Sequence, residues 1–304
     1  MRRGSGALTQ SSNQTPAREH LARRFAVSTS RLAIFTSRLL VFTSLTLAFV
    51  FAQQTELTPL QYEIQVQKAR LSSADVEERR DAVTRLGAMG RPEGSRVAAH
   101  ALGDPAAIIR ATAVRAVLSL NHDEAATLII PLLKDRDEFV RREAAYALGL
   151  SRSTLGVAAL VAAVETDKKP SVRGAAAVAL GQIGDERAAP ALAAALSRRF
   201  PATGFFKRAL RRKAEEDEFV RRAAAVSLGQ IRSRESVPVL IEALANERTP
   251  GDIRRESARA LGLIGDARAV PALRAALTAK DPYLAQIAFD ALRQINPREK
   301  PRPA

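Results

Sequence analysis

Apolar residues recur along most of this chain with helical spacing, in register with a repeating arginine. That arginine stands at Arg79, Arg110, Arg141, Arg173, Arg221 and Arg254, with Ala285 in the matching slot of a last copy; the steps are 31, 31, 32, 48, 33 and 31 residues. An apolar residue precedes it at Ile109, Val140, Val172, Val220 and Ile253, and others follow at three, four and seven positions, as in Ala144, Ala145 and Leu148 or Ala224, Ala225 and Leu228. Positions three and four apart share one face of a helix, so each copy predicts an amphipathic helix; the alternation of a half-buried strand is absent. A second, shorter helix is predicted between the copies, clearest over residues 185–197 and 266–278, where Pro190 and Pro271 suit a first turn. Gly184 and Gly265 close the helices before these segments.

A period of this length marks a solenoid, because one hairpin cannot bury its apolar face without its neighbours. A glycine eight residues after the arginine (Gly87, Gly149, Gly181, Gly229, Gly262) lies inside the longer helix. There it costs about 1 kcal/mol of helix propensity relative to Ala, and its recurrence implies close backbone approach between stacked helices. Terminal copies are irregular: Glu78 takes an apolar slot, Leu118 replaces the glycine of the second copy, and the last copy loses both Arg and Gly and gains Phe289.

These residues resemble HEAT repeats, in particular the short Ala-rich type of the phycobilin-lyase group, over residues 57–296. The resemblance implies an all-α fold, a right-handed α-solenoid of about six to seven HEAT-like helical hairpins. In that family the repeating Arg and an Asp six residues earlier form a ladder along the turns. Asp104 with Arg110, Asp135 with Arg141 and Asp167 with Arg173 match the spacing, whereas Glu215 precedes Arg221 and Arg248 precedes Arg254. The ladder is therefore expected to weaken towards the C-terminus.

Residues 1–52 carry seven Arg, one acidic residue (Glu19) and an apolar run over 39–51. The run is shorter than the roughly 18 to 20 residues a membrane span needs, and Val50 and Ala52 provide small residues for cleavage, so a secretory signal is expected. An uncleaved anchor extended through 32–35 and an Arg- and Ser-rich transit peptide are the alternatives, and Val27 is an alternative start. The expected organisation is a leader over 1–52, repeats over 53–296 and a disordered tail over 297–304, with an exported location, periplasmic or membrane-anchored and facing outward.

The leader accounts for part of the charge. The chain has 47 basic and 32 acidic residues, and removing 1–52 leaves 40 and 31, a net +9. Seven of those positive charges lie over 198–213, which holds no acid. This basic stretch belongs to an insertion over 199–216, the source of the 48-residue step. It sits between the two helices of one hairpin and contains Phe200, Phe205 and Phe206. On a helix, Phe205 and Phe206 oppose Lys207, Arg208, Arg211 and Arg212, with Lys213 adding a further charge. Such an amphipathic element suits a protein partner or an anionic membrane surface; as a lid, its Phe side chains would fold over the neighbouring hairpin.

The other candidate surface is an i, i+4 stripe on the longer helices, one, five and nine residues after the arginine. It includes Arg80, Arg115, Arg142, Tyr146, Leu150, Val178, Arg222, Val226, Arg255 and Arg259. In HEAT-like solenoids this helix lines the concave face, and apolar anchors edged by Arg suit a protein or peptide. The plainer reading is that these arginines support solubility and pair with Glu143 and Glu256.

Candidate chemistry is sparse. There is no Cys, and the three His (His20, His100, His122) form no metal-ligand spacing. Phosphate-cradling and nucleophile-elbow motifs are absent too, so neither a catalytic residue, a cofactor nor a small-molecule substrate is expected. The reading is a non-enzymatic scaffold or adaptor of the cell envelope. The alternatives are a phycobilin-lyase-like protein and a HEAT-like nucleic-acid binder; the latter is disfavoured by a net charge of only +2 outside the leader and the insertion.

Overall fold

The computed structural model describes residues 57–200 and 214–298. The repeats lie in a compact unit within Gln61–Ala304. The leader, the amphipathic element built on Phe205 and Phe206, and tail residues 299–304 lie outside the described residues.

Fourteen α-helices among the described residues form seven successive hairpins. They are α1 (Pro59–Arg70) with α2 (Val76–Ala88), α3 (Pro92–Ala98) with α4 (Ala107–Ala116), and α5 (His122–Ile129) with α6 (Glu138–Ser151). Then come α7 (Val157–Thr166) with α8 (Pro170–Ile183), α9 (Ala189–Ser197) with α10 (Glu218–Ile231), α11 (Val237–Ala245) with α12 (Gly251–Ile264), and α13 (Val270–Ala276) with α14 (Pro282–Ile295). This is the expected all-α solenoid, in which even-numbered helices stack on one another and odd-numbered helices form the other layer.

Local sequence explains the boundaries. Asp75, Asp137, Asp217 and Asp281 cap α2, α6, α10 and α14, each accepting the N–H two residues on. Pro190 and Pro271 fall in first turns. Gly184 and Gly265 close α8 and α12 at φ 78° and 74°, a left-handed conformation; Arg152 and Arg232 adopt it after α6 and α10. The apolar residue before each repeating arginine is fully buried from Ile109 to Ile253, as is Leu284 in the last copy. At Glu78 the slot is polar instead: its carboxylate accepts from Ser73 and Arg70, which holds it below the usual range.

The recurring glycine has a specific partner. A Cβ at Gly87, Gly149, Gly229 or Gly262 would stand 2.9, 2.8, 2.8 or 2.8 Å from the Cα of Ala116, Ala179, Ala260 or Ala291 in the next even-numbered helix. Each partner lies six residues after its own repeat's marker position, and that separation leaves no room for a side chain. In the second repeat Leu118 holds the glycine slot, and α4 ends at Ala116, giving way to a 3₁₀ turn over Val117–Ser119. The core divides there as well. One buried cluster runs from Ile64 to Ala116, and a second runs from Ala111 to Leu292.

The arginine ladder that the resemblance implies is present, with its side-chain pairs running from one repeat to the next. The Arg110 fork donates to both carboxylate oxygens of Asp135 in the following repeat (2.7 and 2.7 Å), while its remaining Nη accepts a role within its own turn, donating to the Asp104 carbonyl at 2.8 Å. Arg79 reaches forward to Asp104, and Arg141 to Asp167, in the same way. Each aspartate therefore serves the preceding repeat through its side chain and its own repeat through its carbonyl. In the next rung Arg173 takes Glu216 (3.0 and 2.5 Å), one residue beyond the expected Glu215; the extra methylene lets a glutamate reach from the later position. Arg110 holds the Asp135 carboxyl below the usual range against the opposing effect of burial. Burial also pushes the Asp104 carboxyl up, but the Arg79 fork and the Ala106 N–H outweigh it.

At the ends of the insertion, β1 (Arg199–Phe200) and β2 (Ala214–Glu215) form an antiparallel pair, Arg199 opposite Glu215 and Phe200 opposite Ala214. Helical periodicity gave no hint of this pair.

Candidate functional site

Glu216, just past β2, has a fully buried side chain that accepts from Arg173 and, at 3.2 Å, from Arg198. Arg198 also donates to the Val164 carbonyl at 3.0 Å, and the Glu216 N–H donates to the Arg198 carbonyl. The ladder thus grips both chain ends where the insertion leaves the hairpin of α9 and α10. Of the insertion residues singled out in the sequence, Phe200 lies in β1, and Phe205, Phe206, Lys207, Arg208, Arg211, Arg212 and Lys213 lie outside the described residues.

The stripe is displayed along the even-numbered helices, and much of its charge is neutralised in place. Arg115 is well exposed at its side chain (70%) and meets Glu143 at 2.8 Å, a buried carboxylate that also lies 3.5 Å from Arg142. Arg80 pairs with Glu77, Arg259 with Glu256, and Arg255 with both Asp252 and Asp281. Arg222 is exposed and has no carboxylate partner among the described residues. The apolar members divide: Leu150 is 61% exposed, whereas Tyr146, Val178 and Val226 are half-buried, the first two packed against the core. Of these four apolar side chains at the expected groove centre, Leu150 alone is exposed.

Sequence reasoning missed the aromatic residue two positions before the marker. Phe139 is exposed at the start of α6, with the Arg142 guanidinium 5.1 Å from its ring centroid. Tyr283 lies below Arg255 of the preceding repeat at 5.4 Å. Phe219 occupies the space over Gly174, where a Cβ would overlap its ring. The signal is the recurrence of an aromatic at this position, which lies outside the buried period. Phe139 closes one end of a groove of about 460 Å³ between α2 and α4, lined also by Arg80, Thr84, Ala111, Arg115 and Glu143. Stacked aromatic and guanidinium groups around such a groove are suited to peptide contact.

Among the described residues no group of three or more His, Cys, Asp or Glu is placed to hold a metal, and no helix is long and apolar enough to cross a membrane.

Hairpins stacked through a glycine and tied by an arginine ladder define an α-solenoid of short repeats. The family of HEAT repeats matches residues 64–149, 127–203 and 205–293, and the chain belongs to that family. Among solved structures, Escherichia coli YibA is similar at 18% identity, with 79% of this chain and 82% of that one covered and a TM-score of 0.55. An engineered protein is similar at 21% identity, 76% and 68% coverage and a TM-score of 0.50. The complex of CpcE and CpcF of phycocyanin lyase from Nostoc sp. PCC7120 is similar at 24% identity, 80% and 90% coverage and a TM-score of 0.45. No curated protein sequence matches the chain.

Proposed function

We propose that this HEAT-repeat chain is a non-enzymatic protein-binding scaffold or adaptor of the cell envelope, and that its partner lies along the even-numbered helices. The observation that carries the reading is the groove bounded by Arg80, Arg115, Glu143 and Phe139, with Leu150 exposed further along α6. Aromatic and Arg side chains that are exposed yet held in place lose little freedom on binding, which is the character of interface anchors. The insertion, with its basic and Phe residues, is a second contact for protein or an anionic membrane surface in this reading. Its support is the grip of Glu216 on Arg173 and Arg198, which fixes the base from which the insertion departs. The envelope location rests on the basic and apolar leader.

The test is affinity capture from the native envelope fraction with the full chain, beside Leu150→Arg, Phe139→Ala and a chain lacking residues 201–213. A partner retained by the full chain and lost with the first two variants supports the even-helix face. Loss only on deleting the insertion transfers the site there, and unchanged capture by all three contradicts both surfaces.

A further inference from the structure

The ladder changes partners at its C-terminal end. In the rungs of Arg79, Arg110 and Arg141, an Asp six residues before the next marker takes the guanidinium through both oxygens. The same carboxylate also accepts the backbone N–H two residues on, from Ala106, Asp137 and Lys169. For Arg254 the corresponding position is Ala279, a methyl group where three rungs have a carboxylate. Arg254 turns its Nε back to the Leu244 carbonyl of its own hairpin, at 2.9 Å, and among the described residues neither Nη meets a carboxylate.

A cleft of about 540 Å³ opens beside this altered rung, lined by Arg254, Leu244, Thr278, Ala279, Lys280 and Asp281. The Asp281 N–H is the counterpart of those at Ala106, Asp137 and Lys169, and no acceptor among the described residues takes it. The Asp281 carboxylate is already committed, accepting from Arg255 Nε at 2.9 Å and from the N–H groups of Tyr283 and Leu284. Glu247, also on the cleft wall, is exposed, and the Lys280 charge offsets it.

We propose that this cleft binds a carboxylate supplied by another molecule, in the place of the missing aspartate. With its Nε turned to Leu244, Arg254 offers its two Nη groups where the upstream rungs use Nε and one Nη; the Asp281 N–H stands where those rungs have a backbone donor, and Lys280 adds a cation at the mouth. A planar monoanion matches the guanidinium fork; a dianionic phosphate would face the nearby Glu247 and Asp281 carboxylates with a single Arg to hold it. The preceding repeat cannot form the same site, because Arg248 fills the slot and Pro250 lacks the N–H. The inference is independent of which face receives a protein partner.

Acetate, acetamide, N-acetyl-Ala-Ala and the amide of that dipeptide are titrated into the full chain, following the Asp281 N–H and Arg254 Nε–H resonances. Saturable shifts with both acids and none with the two amides are expected. Tighter binding of the peptide acid than of acetate assigns the carboxylate to a peptide; equal binding assigns it to a small solute, and both support the site. Ala279→Asp supplies the rung internally, so it should raise the melting temperature and weaken acid binding by about tenfold or more. Arg254→Gln, which retains a donor to Leu244, should weaken it likewise while leaving the helical circular dichroism unchanged. Equal shifts with the amides, or wild-type affinity in Ala279→Asp, would overturn the proposal.

Discussion

The repeats before the insertion and those after it stack in the same way but are tied differently. Gly87 and Gly149 meet an alanine of the next repeat as Gly229 and Gly262 do, at separations that agree within 0.1 Å. The ladder, by contrast, bridges repeats through Asp104, Asp135, Asp167 and Glu216, and then turns back at Arg221 and Arg254 to the Leu196 and Leu244 carbonyls. Close approach at a recurring glycine is therefore found on both sides of the insertion, while at Arg254 the Nε bond to a carboxylate of the next repeat gives way to a carbonyl of its own hairpin. Between α12 and α14 a different arginine, Arg255, crosses to Asp281.

That contrast can be broken at its strongest contact first. Leu228, fully buried in α10, should cost about 2 to 5 kcal/mol on replacement by Ala, read from denaturant unfolding; a loss below about 1 kcal/mol would misplace the buried face. Gly229→Ala forces a methyl against the Ala260 backbone and should cost about 1 to 3 kcal/mol, less the helix-propensity gain of about 1 kcal/mol. Gly103→Ala is the control, since a Cβ there meets nothing within 4 Å and its melting temperature should not fall.

Loss of a ladder rung is of similar size to Gly229→Ala. Asp135→Asn leaves the Arg110 fork short of its anionic partner and should cost about 1 to 3 kcal/mol, whereas Arg254→Gln should cost less than about 1 kcal/mol. Equal costs would erase the distinction between the two halves. The smallest effect is with pH. The carboxyls of Asp104 and Asp135 lie lower in the folded chain than the unfolded value near pH 4, so their contribution is complete above that pH and is lost as pH falls through the folded values. Acid melting scans should show a steeper loss in the native chain than in the Asp104→Asn, Asp135→Asn double variant.

Much of this fold was legible in the chain because the repeat is written in buried positions. The residue before each arginine and those three, four and seven after it mark one buried helix face, which the helical period fixes, and the glycine eight after it marks where the next helix approaches. Contacts between repeats depend on how far one hairpin is displaced from the next, which the period does not specify. For that reason the resemblance matches Asp104 with Arg110, while the structure gives its carboxylate to Arg79. Glu216 in place of Glu215 has the same origin, compounded by the strand pair. On the stripe, charge was visible but its neutralisation was not: that Glu143 serves Arg115 from 28 residues away follows only from stacking.

Site-specific photocrosslinking in the cells the protein comes from tests whether a partner lies along the even-numbered helices. A photoreactive residue is placed at Leu150 or Thr84 on that face, or at the exposed Ala194 on α9 as a control. The same discrete adduct from Leu150 and Thr84, and none from Ala194, is expected if it does. An adduct from Ala194 alone, or equal adducts from all three positions, would contradict it.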